Sequence, residues 1–257
     1  MERPLILVCN DDGIFAPGIK ALTEVMLELG DVLVVAPDSP QSGMGHAITI
    51  NSTLRVNKIN HSDGIVQYSC SGTPVDCVKM AVNKIADRPI AMVVSGINHG
   101  SNSSINVIYS GTMSAAMEGC IEGIPSIGFS LCNYSFDADF ENCKPYVMKI
   151  ASMVLENGLP DGVCLNVNIP SAYKDNIQGV RICRQARALW EEELEERLDP
   201  RGGKYYWLTG VFKNLDEGLD TDEWAIANNF VSIVPVQFDI TAYRAMESLK
   251  MWNFNID

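Results

Sequence analysis

Positive charge is scarce in this chain: 19 Lys and Arg stand against 32 Asp and Glu, a net charge of −13 with histidine neutral. A long nucleic-acid partner needs a basic face, so this acidity speaks against one. A small phosphate ligand is not, provided a divalent cation reverses the local field. Long apolar runs are also missing. No segment approaches the roughly 20 apolar residues of a membrane-spanning helix. The stretch Leu5 to Cys9, after Met1-Glu2-Arg3-Pro4, is too short for a secretory signal and reads as a first β-strand. The eight cysteines (9, 70, 77, 120, 132, 143, 164 and 183) contain no Cys-x-x-Cys pair. A reduced, cytoplasmic protein with buried thiols is therefore expected rather than a disulfide framework or a zinc site. No Gly-x-Gly-x-x-Gly follows the first strand and no Gly-x-Ser-x-Gly occurs. These absences argue against a dinucleotide fingerprint and an α/β-hydrolase nucleophile elbow.

What remains is an ordinary globular composition, 47% hydrophobic and 20% charged, which excludes disordered and fibrous classes. Its length favours one α/β domain, with or without an appended arm, over two equal domains. Leu5–Cys9, Val32–Ala36, Ala91–Ser95, Ser126–Phe129 and Val163–Val167 are apolar or nearly so, as in strands covered on both faces. Between them the spacing predicts helices over about 17–29, from Thr73 onward, from about Gly111, and over about 139–156. In the first of these, Ile19, Leu22, Val25, Met26 and Leu29 share one stripe behind Pro17. In the second, Thr73 caps ahead of Pro74. Such alternation implies a doubly wound, mostly parallel sheet. From Arg184 to Asp222 the periodicity fails. The acidic run Glu191–Glu196 reads as a solvated helix face, and Tyr205–Leu208 and Phe230–Val234 read as strands. A projecting arm that returns to the core fits this pattern, and such arms often exchange between subunits.

Several clusters sit where ligands bind in such sheets, at the carboxyl ends of strands. Asn10-Asp11-Asp12-Gly13 places two carboxylates side by side. Either a divalent cation relieves their repulsion, or the segment is a polar turn. Ser95-Gly96-Ile97-Asn98-His99-Gly100 offers an amide oxygen from Asn98, or is a tight loop that Asn98 caps. Tyr109-Ser110-Gly111-Thr112 opens a helix, as an anion site or as a plain N-cap. Ser42-Gly43, in the loop after the second strand, could project a hydroxyl into the same crevice or be an ordinary loop. His61 is expected in a polar turn, facing solvent. His46 and His99 lie in cleft loops as possible proton carriers, with no carboxylate partner identifiable from spacing. Met113 and Met117 read as core.

In this order the segments closely resemble the SurE family of stationary-phase survival nucleotidases. The resemblance opens at Leu7–Ile19 and runs through Val34–Asp38, Ser42-Gly43 and Gly72–Val78. It is strongest at Val93–Gly100 and Tyr109–Thr112, continues through Ala115–Gly119 and Asp199–Gly202, and ends at Val231–Pro235. It implies a Rossmann-like catalytic core over residues 1–183 and a C-terminal arm with a returning strand over 184–257, swapped between subunits in a homodimer or homotetramer. It also implies a metal-dependent phosphomonoesterase acting on nucleoside 5′-monophosphates, often on 3′-monophosphates too.

The resemblance places one Mg²⁺ or Mn²⁺ per subunit on Asp11, Asp12, Ser42 and Asn98. An all-oxygen set suits such hard ions and disfavours zinc. Asp11 and Asp12 are then catalytic, while Ser110, Gly111, Thr112 and Asn102 are the expected phosphate contacts. Two departures stand out: Phe15 occupies a position where many members carry His, and Ser39-Pro40-Gln41 replaces a commonly Arg-rich stretch. The alternatives weighed are a Ca²⁺-dependent nucleoside hydrolase, which releases free base instead of phosphate, and a non-catalytic nucleotide sensor.

Overall fold

The computed structural model describes residues 3–62, 64–135, 137–171 and 176–254. Among them the strands are β1 (Leu5–Cys9), β2 (Asp31–Pro37), β3 (Val56–Ser62), β4 (Ile65–Cys70), β5 (Ile90–His99), β6 (Ser126–Cys132), β7 (Val163–Pro170), β8 (Gly179–Ile182), β9 (Ala188–Leu198), β10 (Lys204–Asn214) and β11 (Phe230–Gln237). Nine of them form one sheet in the order β3-β4-β2-β1-β5-β6-β7-β11-β8. From β4 to β7 the neighbours are parallel; β3 pairs antiparallel with β4, and β11 antiparallel with β7. The expected α/β, mostly parallel sheet is therefore observed, with antiparallel β3 at one edge and, beyond β7 at the other, β11 and β8, which run parallel to each other and antiparallel to β7.

All five residues of β1 are buried, because helices cover both faces of the sheet. On one face, helix α1 (Pro17–Leu29) presents Ile19, Leu22, Val25 and Met26, all buried against Ile6, Val8, Val94 and Ile97. Full burial of side chains such as Leu22 and Met26 contributes about 1.5–3 kcal/mol each. On the other face, α2 (Pro74–Met80) starts in a capping box in which Thr73 and Asp76 satisfy each other's backbone donors. Helix α3 (Gly111–Ile121) crosses from β5 to β6, and α4 (Lys144–Asn157) from β6 to β7. Met113 is fully buried and Met117 partly so, as core residues. The predicted fourth helix starts later than Asp139, with a short 3₁₀ turn at Glu141–Cys143 ahead of α4.

The chain departs from β1 toward β2 and β4, then returns past β1 to β5, β6 and β7. The switch in direction therefore falls between β1 and β5, the place where doubly wound sheets open a ligand crevice. Cys9 at the end of β1 is in register with Ser95 of β5, so the segments after both strands emerge side by side.

Two expectations need correction. Glu191–Glu196 is not a helix face; it lies in β9, which pairs with β10 as a separate two-stranded ribbon. Glutamate's helix preference yields to cross-strand partners. Lys204 holds Glu196 at 2.9 Å, Tyr206 donates to the same carboxylate at 2.9 Å, and Lys213 pairs with Glu191. His61 is not in a turn: its backbone lies in β3, and its side chain is outside the described residues. Two short helices, α5 (Asp222–Ala227) and α6 (Tyr243–Leu249), complete the described chain. All eight cysteines are free, and seven are buried. Among the described residues no helix is long and apolar enough to cross a membrane.

Candidate active site

Immediately after β1 the chain turns sharply. Asn10 donates from its side-chain amide to the Gly13 carbonyl at 2.9 Å, and Ile14 donates its N–H to Pro37 at 2.9 Å. The turn leaves Asp11 buried and Asp12 one-fifth exposed. Burial pushes the Asp11 carboxyl up to about 6; a hydrogen bond from Thr112 opposes the rise and the charge of Asp12 adds to it. Burial also raises Asp12, against a bond from the His99 backbone N–H at 3.4 Å. Two adjacent carboxylates strained in this way are relieved by a hard cation.

Asn98, near the end of β5, spends its amide hydrogens on the carbonyls of His99 at 3.2 Å and Gly100 at 2.9 Å. Its side-chain oxygen is left to accept or ligate. Asn98 therefore braces its own turn from within the strand rather than capping a following helix. Ser42 is exposed, with its hydroxyl uncommitted, in a loop tied to the carboxylate turn. The preceding residue, Gln41, donates its N–H to the Asp11 carbonyl at 2.8 Å, and Gly45 donates to Tyr109 at 3.1 Å. No cluster of three or more His, Cys, Asp or Glu suited to a metal occurs among the described residues. A cation at this turn would therefore need neutral oxygens beside the two carboxylates, and the segments that carry Asn98 and Ser42 are bonded to it through the His99 and Gln41 backbones. The donor set fits a hard divalent ion.

Helix α3 points its N-terminus at the same place. Thr112 donates its hydroxyl to Asp11 Oδ1, linking residues 101 apart in sequence. The approach requires glycine at 111, because a Cβ there would lie 2.6 Å from the Cβ of Asp11 and 2.9 Å from Oδ2. Ser110 caps the helix by accepting from the Met113 N–H at 3.0 Å, so the plain N-cap is real. The free backbone N–H groups of the first turn and the helix dipole add to it an anion-attracting end. Asn102 is buried in an amide network: its Nδ2 donates to Ser130 at 2.9 Å, and its N–H to Asn168 Oδ1 at 2.8 Å. Its side chain braces the loop ahead of α3. Phe15 is 82% exposed, so the residue that replaces the family's common His contacts little.

Both cleft histidines have carboxylate partners that spacing did not show. His46 lies 2.9 Å from Glu118, a buried residue of α3 that Lys79 also reaches. Burial alone would raise the Glu118 carboxyl, but these two partners outweigh it and hold it below the usual range. The His99 Nδ1 lies 3.9 Å from Asp12, and its ring meets Phe140 edge-on at 4.8 Å. The pairs span 72 and 87 residues, beyond any local pattern. The one available signal was Glu118, set in the otherwise apolar stretch Ala115–Gly119 of α3.

Fold and cleft together define a doubly wound α/β protein that gathers a carboxylate pair and a helix N-terminus at the switch point of its sheet. A family model described as survival protein SurE matches residues 6–192. The chain is 62% identical over 256 residues to the 5′-nucleotidase SurE of Flavobacterium psychrophilum, covering 99% of this chain and 100% of that protein. It is 48% identical over 256 residues to the 5′-nucleotidase SurE of Phocaeicola vulgatus, with 99% of each covered. The crystal structure of the SurE protein from Aquifex aeolicus superposes with a TM-score of 0.83 at 39% identity, covering 96% of this chain and 98% of that one. The chain belongs to the SurE family.

Proposed function

We propose that the protein is a metal-dependent phosphomonoesterase that releases phosphate from nucleoside 5′-monophosphates and, as the resemblance implies, from 3′-monophosphates. The curated relatives are named 5′-nucleotidases, and metal dependence is typical of the family. The observation that carries the reading is the contact between Thr112 and Asp11, which joins a helix N-terminus suited to phosphate to a carboxylate pair suited to a cation.

In this account Asp11, Asp12, Asn98 and Ser42 hold one Mg²⁺ or Mn²⁺ per subunit. When bound, the ion supplies Lewis-acid stabilisation of phosphoryl charge and a more acidic water. Thr112 keeps the Asp11 carboxylate turned into the cleft. Backbone N–H groups of Gly111 and Thr112, with the hydroxyl of Ser110, receive the phosphate oxygens, and Asn102 fixes the loop that presents them. Asp12 is steadied by the His99 backbone.

Inorganic phosphate release from AMP, measured with Mn²⁺, with Mg²⁺ and with EDTA, tests this reading. Metal-dependent release that EDTA abolishes is expected. Free adenine instead of phosphate would establish the nucleoside hydrolase, and binding without product would establish the sensor.

Residues 184–257 are proposed to act as an arm exchanged between copies in a dimer or tetramer. The β9–β10 ribbon exposes Leu194, Leu198, Trp207, Leu208 and Val211, an apolar surface seldom left free in a monomer. Its root is anchored instead, since buried Asp222 accepts the N–H groups of Ser104 at 2.7 Å and Ala186 at 2.8 Å. Sedimentation as a monomer would overturn the exchange. A reducing, cytoplasmic setting is proposed on the eight free thiols.

A further inference from the structure

The segment that carries Ser42 takes its shape from its two ends. At the first, Gln41 donates its N–H to the Asp11 carbonyl at 2.8 Å. At the second, Gly45 donates to the Tyr109 carbonyl at 3.1 Å, and the Ala47 carbonyl accepts from the Thr73 hydroxyl at 2.7 Å. Between them Ser42, Gly43 and Met44 are exposed. Gly43, at φ +76°, has no atom within 4 Å of where a Cβ would sit, and Met44 returns its N–H to Gln41 within the loop at 3.3 Å. So short and exposed a span has little packing of its own to fix it.

One side chain fastens the second end to α3. His46 Nε2 lies 2.9 Å from Glu118 Oε2, and Glu118 is buried about two turns beyond Gly111. His46 and Lys79 hold that carboxyl below its ordinary range, so it is ionised in the cell's neutral range. A carboxylate only accepts, so Nε2 carries the hydrogen and donates it. Hydrogen bonds to an ionised acceptor are the stronger kind. Lys79 reaches the same carboxylate from α2, not from the loop.

We propose that His46 is a positioning residue for Ser42: its bond to Glu118 fixes the loop in the conformation from which the serine hydroxyl ligates the cation. The inference rests on the proposed metal site and adds what presets one of its ligands. Helix α3 then serves the site twice, holding Asp11 through Thr112 and the Ser42 loop through Glu118. A loop ordered before the ion arrives loses less freedom on binding it.

The test follows backbone hydrogen exchange over residues 42–45 and Mn²⁺ affinity by calorimetry in His46→Ala, His46→Gln and Lys79→Ala. In His46→Ala, exchange is expected to quicken and Mn²⁺ affinity to fall, each about tenfold. The His46 side chain is one-third exposed and Glu118 keeps Lys79, so this variant folds. His46→Gln retains an N–H donor and is expected to recover most of both losses. Lys79→Ala takes a partner from the same carboxylate; it is expected to lower stability to urea and to leave both loop readouts at the wild-type level. Equal changes in His46→Ala and Lys79→Ala would show a merely structural role and overturn the proposal, as would unchanged exchange in His46→Ala. Should the wild type bind neither Mn²⁺ nor Mg²⁺, the metal site is what fails. Exchange then decides the clasp alone: quickening confined to His46→Ala supports it, and equal rates in the two alanine variants overturn it.

Discussion

The hydroxyl of Thr112 donates to the Asp11 carboxylate, so the first turn of α3 and the turn after β1 behave as one unit. The start of α3 cannot move without carrying the Asp11 carboxylate with it.

Replacing Thr112 with Val keeps the volume and deletes the donor. Partners of metal-ligating groups typically cost 10- to 100-fold in affinity or activity when removed. A loss of about that size is expected in Mn²⁺ affinity by calorimetry, and Thr112→Ser, which keeps the hydroxyl, should recover most of it. Equal affinity in wild type and Thr112→Val would detach this contact from metal binding.

Gly111→Ala sets a Cβ where the Asp11 side chain already lies, at 2.6 Å from its Cβ. Either the helix start or the carboxylate must shift. Phosphate release is expected to fall steeply, by about 100-fold if an anion-stabilising group is displaced. Normal turnover would show that the cleft absorbs the shift.

Metal binding should carry a pH signature. Burial raises Asp11 to about 6, so below that pH the folded protein holds a proton that an incoming cation must displace. Mn²⁺ affinity is expected to level off above this value and to fall roughly tenfold per pH unit below it. Affinity unchanged between pH 5 and 7 would contradict the assignment of Asp11 as a ligand.

Glu118 makes the opposite contribution, to stability. Its carboxyl is held below the ordinary glutamate range in the fold, so its stabilisation is fully present above that range and is lost as pH falls through the lowered folded value. A fully buried pair costs about 3–5 kcal/mol to break. His46 and Lys79 are 34% and 43% exposed and can rehydrate, which lowers the expected cost of Glu118→Gln to about 1–2 kcal/mol. Urea unfolding should show that gap at neutral pH and its narrowing as the pH falls below the ordinary glutamate range.

The sheet was legible because its central strands are buried on both faces, which writes them as apolar runs; β1 and α1 fall where the pattern predicts. The edge was not. Strand β3 carries polar residues such as Asn57 and Lys58 at exposed positions, β8 is only four residues long, and β9 is acidic enough to imitate a helix, because cross-strand partners far along the chain decide its state. The carboxylate pair, the Asn98 turn and the α3 cap could be read from local residue chemistry. The pairings His46–Glu118 and Asp12–His99 could not, since they exist only once β1, β5 and α3 share one end of the sheet.

Phosphate release from AMP by Asp11→Asn, with Mn²⁺ saturating and the fold verified by circular dichroism, tests the central claim most directly. The substitution keeps the shape and removes the charge that the cation requires. A fall of at least about 100-fold with unchanged secondary structure is predicted. Near-normal turnover in that variant would contradict the metal site as placed.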